Sequence, residues 1–157
     1  MSEKRLQGLR VAVLAVDGFE QVEVTIPVRA LQREGADVRI VSLRPGRIRG
    51  MNFLFRGKKL PVDETVARAR PDQYGALLLP GGFVNPDLLR QSKRALEFVR
   101  QFDALERPIV TLCHGPELRV DARGAQANPA SPETNGVVTS STGATRRRPP
   151  RIHLRAF

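Results

Sequence analysis

The residue of this chain best suited to covalent chemistry is its only cysteine, Cys113. It ends the apolar run Pro108-Ile109-Val110-Thr111-Leu112 and is followed at once by His114, Gly115 and Pro116. A short run of this kind predicts a buried strand of a parallel sheet. Gly and Pro directly after it predict a sharp turn. The thiol is therefore expected at the carboxyl end of a buried strand, where open α/β sheets bind their ligands. A helix starting at that turn would favour thiolate over thiol through its N-terminal dipole. A free cysteine is also commonly no more than a small buried hydrophobe, so Cys113 marks a site only in company.

A thiol that attacks a carbonyl carbon needs a proton-transfer partner and donors for the oxyanion that develops. His114 is adjacent, but its side chain leaves the backbone in another direction. It either reaches Cys113 across a strained turn or bridges to a carboxylate. The backbone N–H groups of His114 and of Gly81 and Gly82 are candidate oxyanion donors, on the logic of a strand-to-helix elbow. Glu20 and Glu23 sit at the start of the first expected helix, and Asp87 follows Pro80-Gly81-Gly82. All three carboxylates fall at carboxyl ends of expected strands, on the rim that carries Cys113. Each alone could simply complement a helix dipole; it is their shared rim with the thiol that points to a site. Gly81-Gly82 lacks the spacing of a phosphate-binding loop.

The elements that must hold this rim follow from hydrophobic patterning. Residues 9–16 and 37–43 read as buried strands, joined by a helix from Glu20 to Glu34 that Gly35 ends. Pro27 is expected to kink that helix or shift its start. Residues 44–61 read as loop and hairpin punctuated by Gly46, Gly50 and Gly57, and a short helix is expected over Asp63–Ala69. Tyr74–Leu79 reads as a third buried strand. From Ser92 to Leu105 the spacing of Ala95, Leu96, Val99, Phe102 and Leu105 predicts an amphipathic helix with those residues as core. Strands alternating with helices predict a mostly parallel sheet in a three-layer α/β fold. After Gly115 the chain turns rich in Ala, Arg, Thr, Ser and Pro; only Thr134–Thr139 suggests a piece of hairpin there.

Composition bounds the function. The 157 residues suit one domain, and 41% apolar content is enough for a core. No run is long enough for a membrane span and no signal peptide is evident, so no membrane partner is expected. A single cysteine cannot form an internal disulfide and fits a reducing compartment, which places the protein in the cytoplasm. The net charge of +10 admits non-specific attraction to polyanions. The basic residues are scattered, however, with one dense cluster at Arg146-Arg147-Arg148, and there is no Trp and one Tyr. Nothing forms an aromatic platform for nucleic-acid bases, so nucleic acid is not the expected partner.

Three motifs occur in order: Asp17-Gly18-Phe19-Glu20-Gln21-Val22-Glu23 with Pro27; Leu79-Pro80-Gly81-Gly82 with Asn85-Pro86-Asp87-Leu88-Leu89-Arg90; and Cys113-His114-Gly115-Pro116. Together they resemble the ThiJ/PfpI superfamily, and within it the PfpI-type branch of intracellular proteases, general stress proteins and protein deglycases. The resemblance runs from about residue 9 to residue 116. It implies a flavodoxin-like sandwich akin to class I glutamine amidotransferase domains. It makes Cys113 the elbow nucleophile, Glu23 the carboxylate that hydrogen-bonds it, and His114 the neighbouring histidine. Asp87 matches an acid that reaches the site from an adjacent subunit, and Glu20 a second acid of the helix-start motif. The resemblance implies no cofactor and no metal, a homo-oligomer, and a small carbonyl or protein-adduct substrate.

The resemblance weakens past the elbow. Residues 1–116 are expected to form the α/β core and 117–157 a divergent, partly disordered segment in which the family's last elements are incomplete. A cysteine hydrolase is the leading expectation. The alternatives are a non-enzymatic redox-sensing stress protein that uses Cys113, and a truncated inactive paralogue.

Overall fold

The computed structural model describes residues 4–113 and 137–140. His114, and all of the divergent C-terminal segment except residues 137–140, lie outside the described residues.

Six strands form one sheet in the order β6-β3-β1-β7-β8-β9. They are β1 (Arg10–Leu14), β3 (Asp37–Ser42), β6 (Glu64–Thr65), β7 (Ala76–Leu79), β8 (Ile109–Leu112) and β9 (Val137–Ser140), and every pairing between them is parallel. A smaller sheet joins β2 (Phe19–Glu20), β4 (Arg47–Asn52) and β5 (Phe55–Pro61), the last two as an antiparallel hairpin. The expected α/β sandwich and the hairpin in residues 44–61 are both present.

The central strands are apolar on both faces because both faces are covered. Ala12, Leu14, Leu77 and Leu79 pack with Phe98, Val99 and Phe102 on one side. Val13, Ala15 and Leu78 pack with Val24 and Val28 on the other. The first side is covered by α3 (Lys93–Ala104), the second by α1 (Gln21–Arg33). The chain moves outward from β1 to β3 in one direction and to β7 in the other. The loops after β1 and β7 therefore part at the topological switch point, where such sheets open a crevice.

Local chemistry explains the helix limits. Ser92 Oγ accepts the Ala95 N–H at 3.2 Å and caps α3. Past α1, Gly35 adopts φ 94°, and the N–H groups of Gly35 and Ala36 return to the carbonyls of Gln32 and Leu31. That double closure needs a left-handed residue, which glycine supplies without strain. Pro27 lies inside α1 without ending it or moving its start; it forgoes only its own bond to the Glu23 carbonyl.

Four expectations are corrected. Glu64–Thr65 is a strand, not the start of a helix, because it pairs with Val41–Ser42 at the sheet edge; long-range pairing outweighs local propensity. Leu105 is 40% exposed, whereas Phe98, absent from the expected core face, is buried. The 137–140 segment pairs in parallel with β8 and belongs to the main sheet, not to a hairpin. A short helix, α2 (Asn85–Arg90), follows β7 where no element was expected. Among the described residues no helix is long and apolar enough to cross a membrane.

Candidate active site

The site is assembled by register. Leu79 of β7 stands opposite Thr111 of β8, so two residues further along Gly81 stands opposite Cys113. At Cys113 the strand ends abruptly: φ is 46°, a left-handed backbone that a residue with a side chain adopts at a cost of about 1–3 kcal/mol. Strain of this size persists where the surroundings fix it, and Gly81 is part of that fixing. A Cβ on Gly81 would come within 2.7 Å of Cys113 Cβ and 3.0 Å of the Leu112 carbonyl oxygen. Only glycine lets the two strand ends approach this closely.

Glu23, in the first turn of α1, reaches across the gap. Its Oε2 accepts the Gly81 N–H at 2.6 Å, and its Oε1 accepts a hydrogen bond from the Cys113 thiol. One carboxylate thus ties the end of β7 to the end of β8. The Gly81 N–H is committed to Glu23, so in this arrangement it orients the acid and is not free to receive an oxyanion. Gly82, with φ 115°, lets the loop pass close to the one after β1: a Cβ there would lie 2.5 Å from the Gly18 carbonyl oxygen. The Glu20 N–H donates to the Gly81 carbonyl at 3.2 Å, and the Glu20 carboxylate accepts the Phe53 N–H at 3.2 Å.

These contacts push the Cys113 thiol up to about 11; the hydrogen bond to Glu23 is the largest cause, followed by burial and by the negative charges of Glu23 and Glu20. A thiol that donates to an anion resists losing its proton. The expectation of a thiolate favoured by a helix N-terminus is therefore opposed by the carboxylates. The turn beyond Cys113, His114 included, lies outside the described residues. The thiol is exposed.

Asp87 stands apart from this cluster. It is in the first turn of α2, largely exposed, and pairs with Arg90 at 3.3 Å. The residue that the sequence reading missed is Asn85. It is fully buried; its Oδ1 accepts the Val16 N–H at 2.8 Å and its Nδ2 donates to the Pro80 carbonyl at 3.0 Å. It thereby joins the loop after β1 to the loop after β7. Its place before a proline suggests a turn, but nothing local reveals that its amide is buried between two loops. Among the described residues no three His, Cys, Asp or Glu side chains are grouped to hold a metal ion. A cavity of about 660 Å³ lies elsewhere, between Arg10, Arg39, Glu64 and Tyr74, and shares no residue with the cluster.

Known proteins share this arrangement of elements. The model of the family described as DJ-1/PfpI matches residues 9–131. The protein named "Putative cysteine protease YraA" of Bacillus subtilis is 36% identical over 113 residues, which cover 71% of this chain and 64% of the relative. The protein named "Deglycase PfpI" of Pyrococcus furiosus is 34% identical over 114 residues, 73% of this chain and 66% of that one. The chain thus spans less than two thirds of the length of these curated relatives. Among solved structures, oxidized DJ-1 of Toxoplasma gondii superposes with a TM-score of 0.65 at 20% identity, covering 74% of this chain and 62% of that one. At that identity the likeness concerns the fold.

Proposed function

The chain belongs to the DJ-1/PfpI family, and on that premise we propose that it is a cysteine-dependent hydrolase in which Cys113 is the nucleophile and Glu23 its proton acceptor. The observation that carries this reading is the thiol of Cys113 hydrogen-bonded to a carboxylate whose other oxygen is held at 2.6 Å by the Gly81 N–H. A thiol in this state need not be ionised beforehand. As Sγ bonds to a carbonyl carbon, the C=O π pair moves to oxygen and the thiol proton passes to Glu23, which then returns it to the leaving group. General-base transfer of this kind requires hydrogen-bond reach first and a matched acidity second. Water then releases the acyl group from sulfur.

The substrates proposed are acyl or glycation-type adducts of proteins, or small carbonyl compounds. Relatives named as a protease and as a deglycase support this range. His114 and the N–H of Gly82 are proposed as further proton-transfer and oxyanion groups. The protein is read as cytoplasmic and independent of cofactors. It is also read as a homo-oligomer in which Asp87 of one copy completes the site of the next.

Cys113→Ala is expected to abolish hydrolysis of a glycated peptide and of a fluorogenic peptide, with the unfolding midpoint unchanged. Hydrolysis that survives the substitution would exclude the reading.

The exposed thiol supports a second reading, a redox sensor in which peroxide oxidises Cys113 to the sulfinate. A thiol held protonated reacts slowly with peroxide at neutral pH, so the hydrolase is preferred. Intact mass after mild peroxide treatment decides between them: two added oxygens on Cys113 at low peroxide would favour the sensor.

A further inference from the structure

Beside the cluster stand two aromatic rings that the proposed chemistry does not use. Phe53 sits at the tip of the β4–β5 hairpin and Phe83 directly after Gly82. Their rings meet edge to face with centroids 6.2 Å apart. They are nevertheless 72% and 63% exposed, so the contact leaves most of both rings uncovered. Phe53 has φ 59°, a left-handed backbone that costs a residue with a side chain about 1–3 kcal/mol and would suit Gly or Asn. Its N–H is held by the carboxylate of Glu20, the same group whose charge acts on the Cys113 thiol. Phe83 lies two residues past Gly81, within about 7 Å of chain, and Gly81 stands so close to Cys113 that a Cβ on it would come within 2.7 Å of Cys113 Cβ. Phe53 is thus held by the Glu20 carboxylate, and Phe83 follows the loop whose Gly81 N–H holds Glu23.

We infer that Phe53 and Phe83 form an apolar wall that selects carbonyl substrates bearing an aromatic or bulky apolar group. This rests on the reading of Cys113 as a nucleophile toward carbonyl carbon. For an aldehyde, the thiol adds across C=O: the S–C bond forms, the π pair goes to oxygen, and the thiol proton ends on that oxygen by way of Glu23. The product is a hemithioacetal, with no other reactant. An aryl substituent would rest against the two rings in the offset or edge-on geometries that aromatic pairs prefer.

Alkylation of Cys113 tests the wall without requiring turnover. Iodoacetamide and iodoacetanilide carry the same reactive carbon and differ by a phenyl group; Cys113 is the only cysteine, so intact mass reports it alone. With rates normalised to a free thiol, iodoacetanilide is expected to react about fivefold faster than iodoacetamide on the wild type. In the double variant Phe53→Asn/Phe83→Ala that preference is expected to fall to about one, while the iodoacetamide rate holds. Asn tolerates the left-handed backbone and both positions are exposed, so the variant retains the fold. A preference that is absent from the wild type, or that survives in the variant, would overturn the wall. So would a change of oligomeric state in the variant, which would make the rings a subunit contact. Loss of hydrolysis with the preference intact would instead fault only the hydrolase reading.

Discussion

The Cys113 thiol donates to Glu23, and Gly81 holds the other oxygen of the same carboxylate. Glu23 raises the thiol; in the proposed reaction it also receives the proton, so one contact would suppress idle ionisation and support attack. Glu23→Gln removes the negative charge, and hydrolysis is expected to fall by about 10²–10⁴-fold, the usual worth of a positioned base. Rates of peptide and adduct hydrolysis would show it. Because the thiol in the folded protein is raised from its ordinary value of 9.0 to about 11, the folded state holds its proton more firmly than the unfolded chain. That contribution is fully present below pH 9 and is lost as pH rises through about 11. Urea midpoints of the wild type should therefore decline across that window more than those of Glu23→Gln. Which residues are equipped for chemistry was legible from type and order: a lone cysteine after an apolar run, acids at the start of a helix, two glycines after a strand. What the glycines do was not. That Gly81 faces Cys113 and gives its N–H to Glu23 depends on the β7–β8 register, a pairing between segments some thirty residues apart that no local pattern encodes.

The elements matter here as holders of loops. Strands β1, β7 and β8 bring their carboxyl ends to one rim, and buried Asn85 bolts the first two loops together. Asn85→Ala would leave the Val16 N–H and the Pro80 carbonyl without partners, at about 1–3 kcal/mol for each group left unsatisfied. Chemical denaturation should show the loss, and Cys113 alkylation should lose its dependence on Glu23 as the loops part. Phe102, fully buried on the inner face of α3, should cost about 3–5 kcal/mol on truncation to Ala while leaving the rim chemistry of the folded fraction intact. Strands β1, β3, β7 and β8 were readable as apolar runs, α3 from its 3.6-residue period, and α1 from its acidic first turn and the glycine that ends it, all of them local signals. Glu64–Thr65 was not, since two residues become a strand only when Val41–Ser42 is there to pair with them. The polar stretch Asn85–Arg90 likewise gains its helix from the burial of Asn85, Pro86 and Leu89, which only the assembled fold provides.

For the molecule as a whole, the question is whether one copy is a complete site. Asp87 is exposed and bound only to its helix neighbour among the described contacts. If another copy receives it, Asp87→Ala should lower hydrolysis strongly while Cys113 alkylation and stability stay within about 0.5 kcal/mol of wild type. Kinetics beside light-scattering mass would check this; unchanged kinetics would confine Asp87 to its surface pair. The sequence could suggest such a role only through the family resemblance, because a contact between copies leaves no periodic trace in one chain. The described residues nonetheless bring the thiol and its acid together within one chain. The direct test of that pair is the pH dependence of Cys113 alkylation by iodoacetamide, followed by intact mass in the wild type and in Glu23→Gln. The thiol–carboxylate pair predicts a wild-type midpoint near 11 that moves downward in the variant. A wild-type thiol that titrates at or below its ordinary value, or a midpoint indifferent to Glu23→Gln, would contradict it.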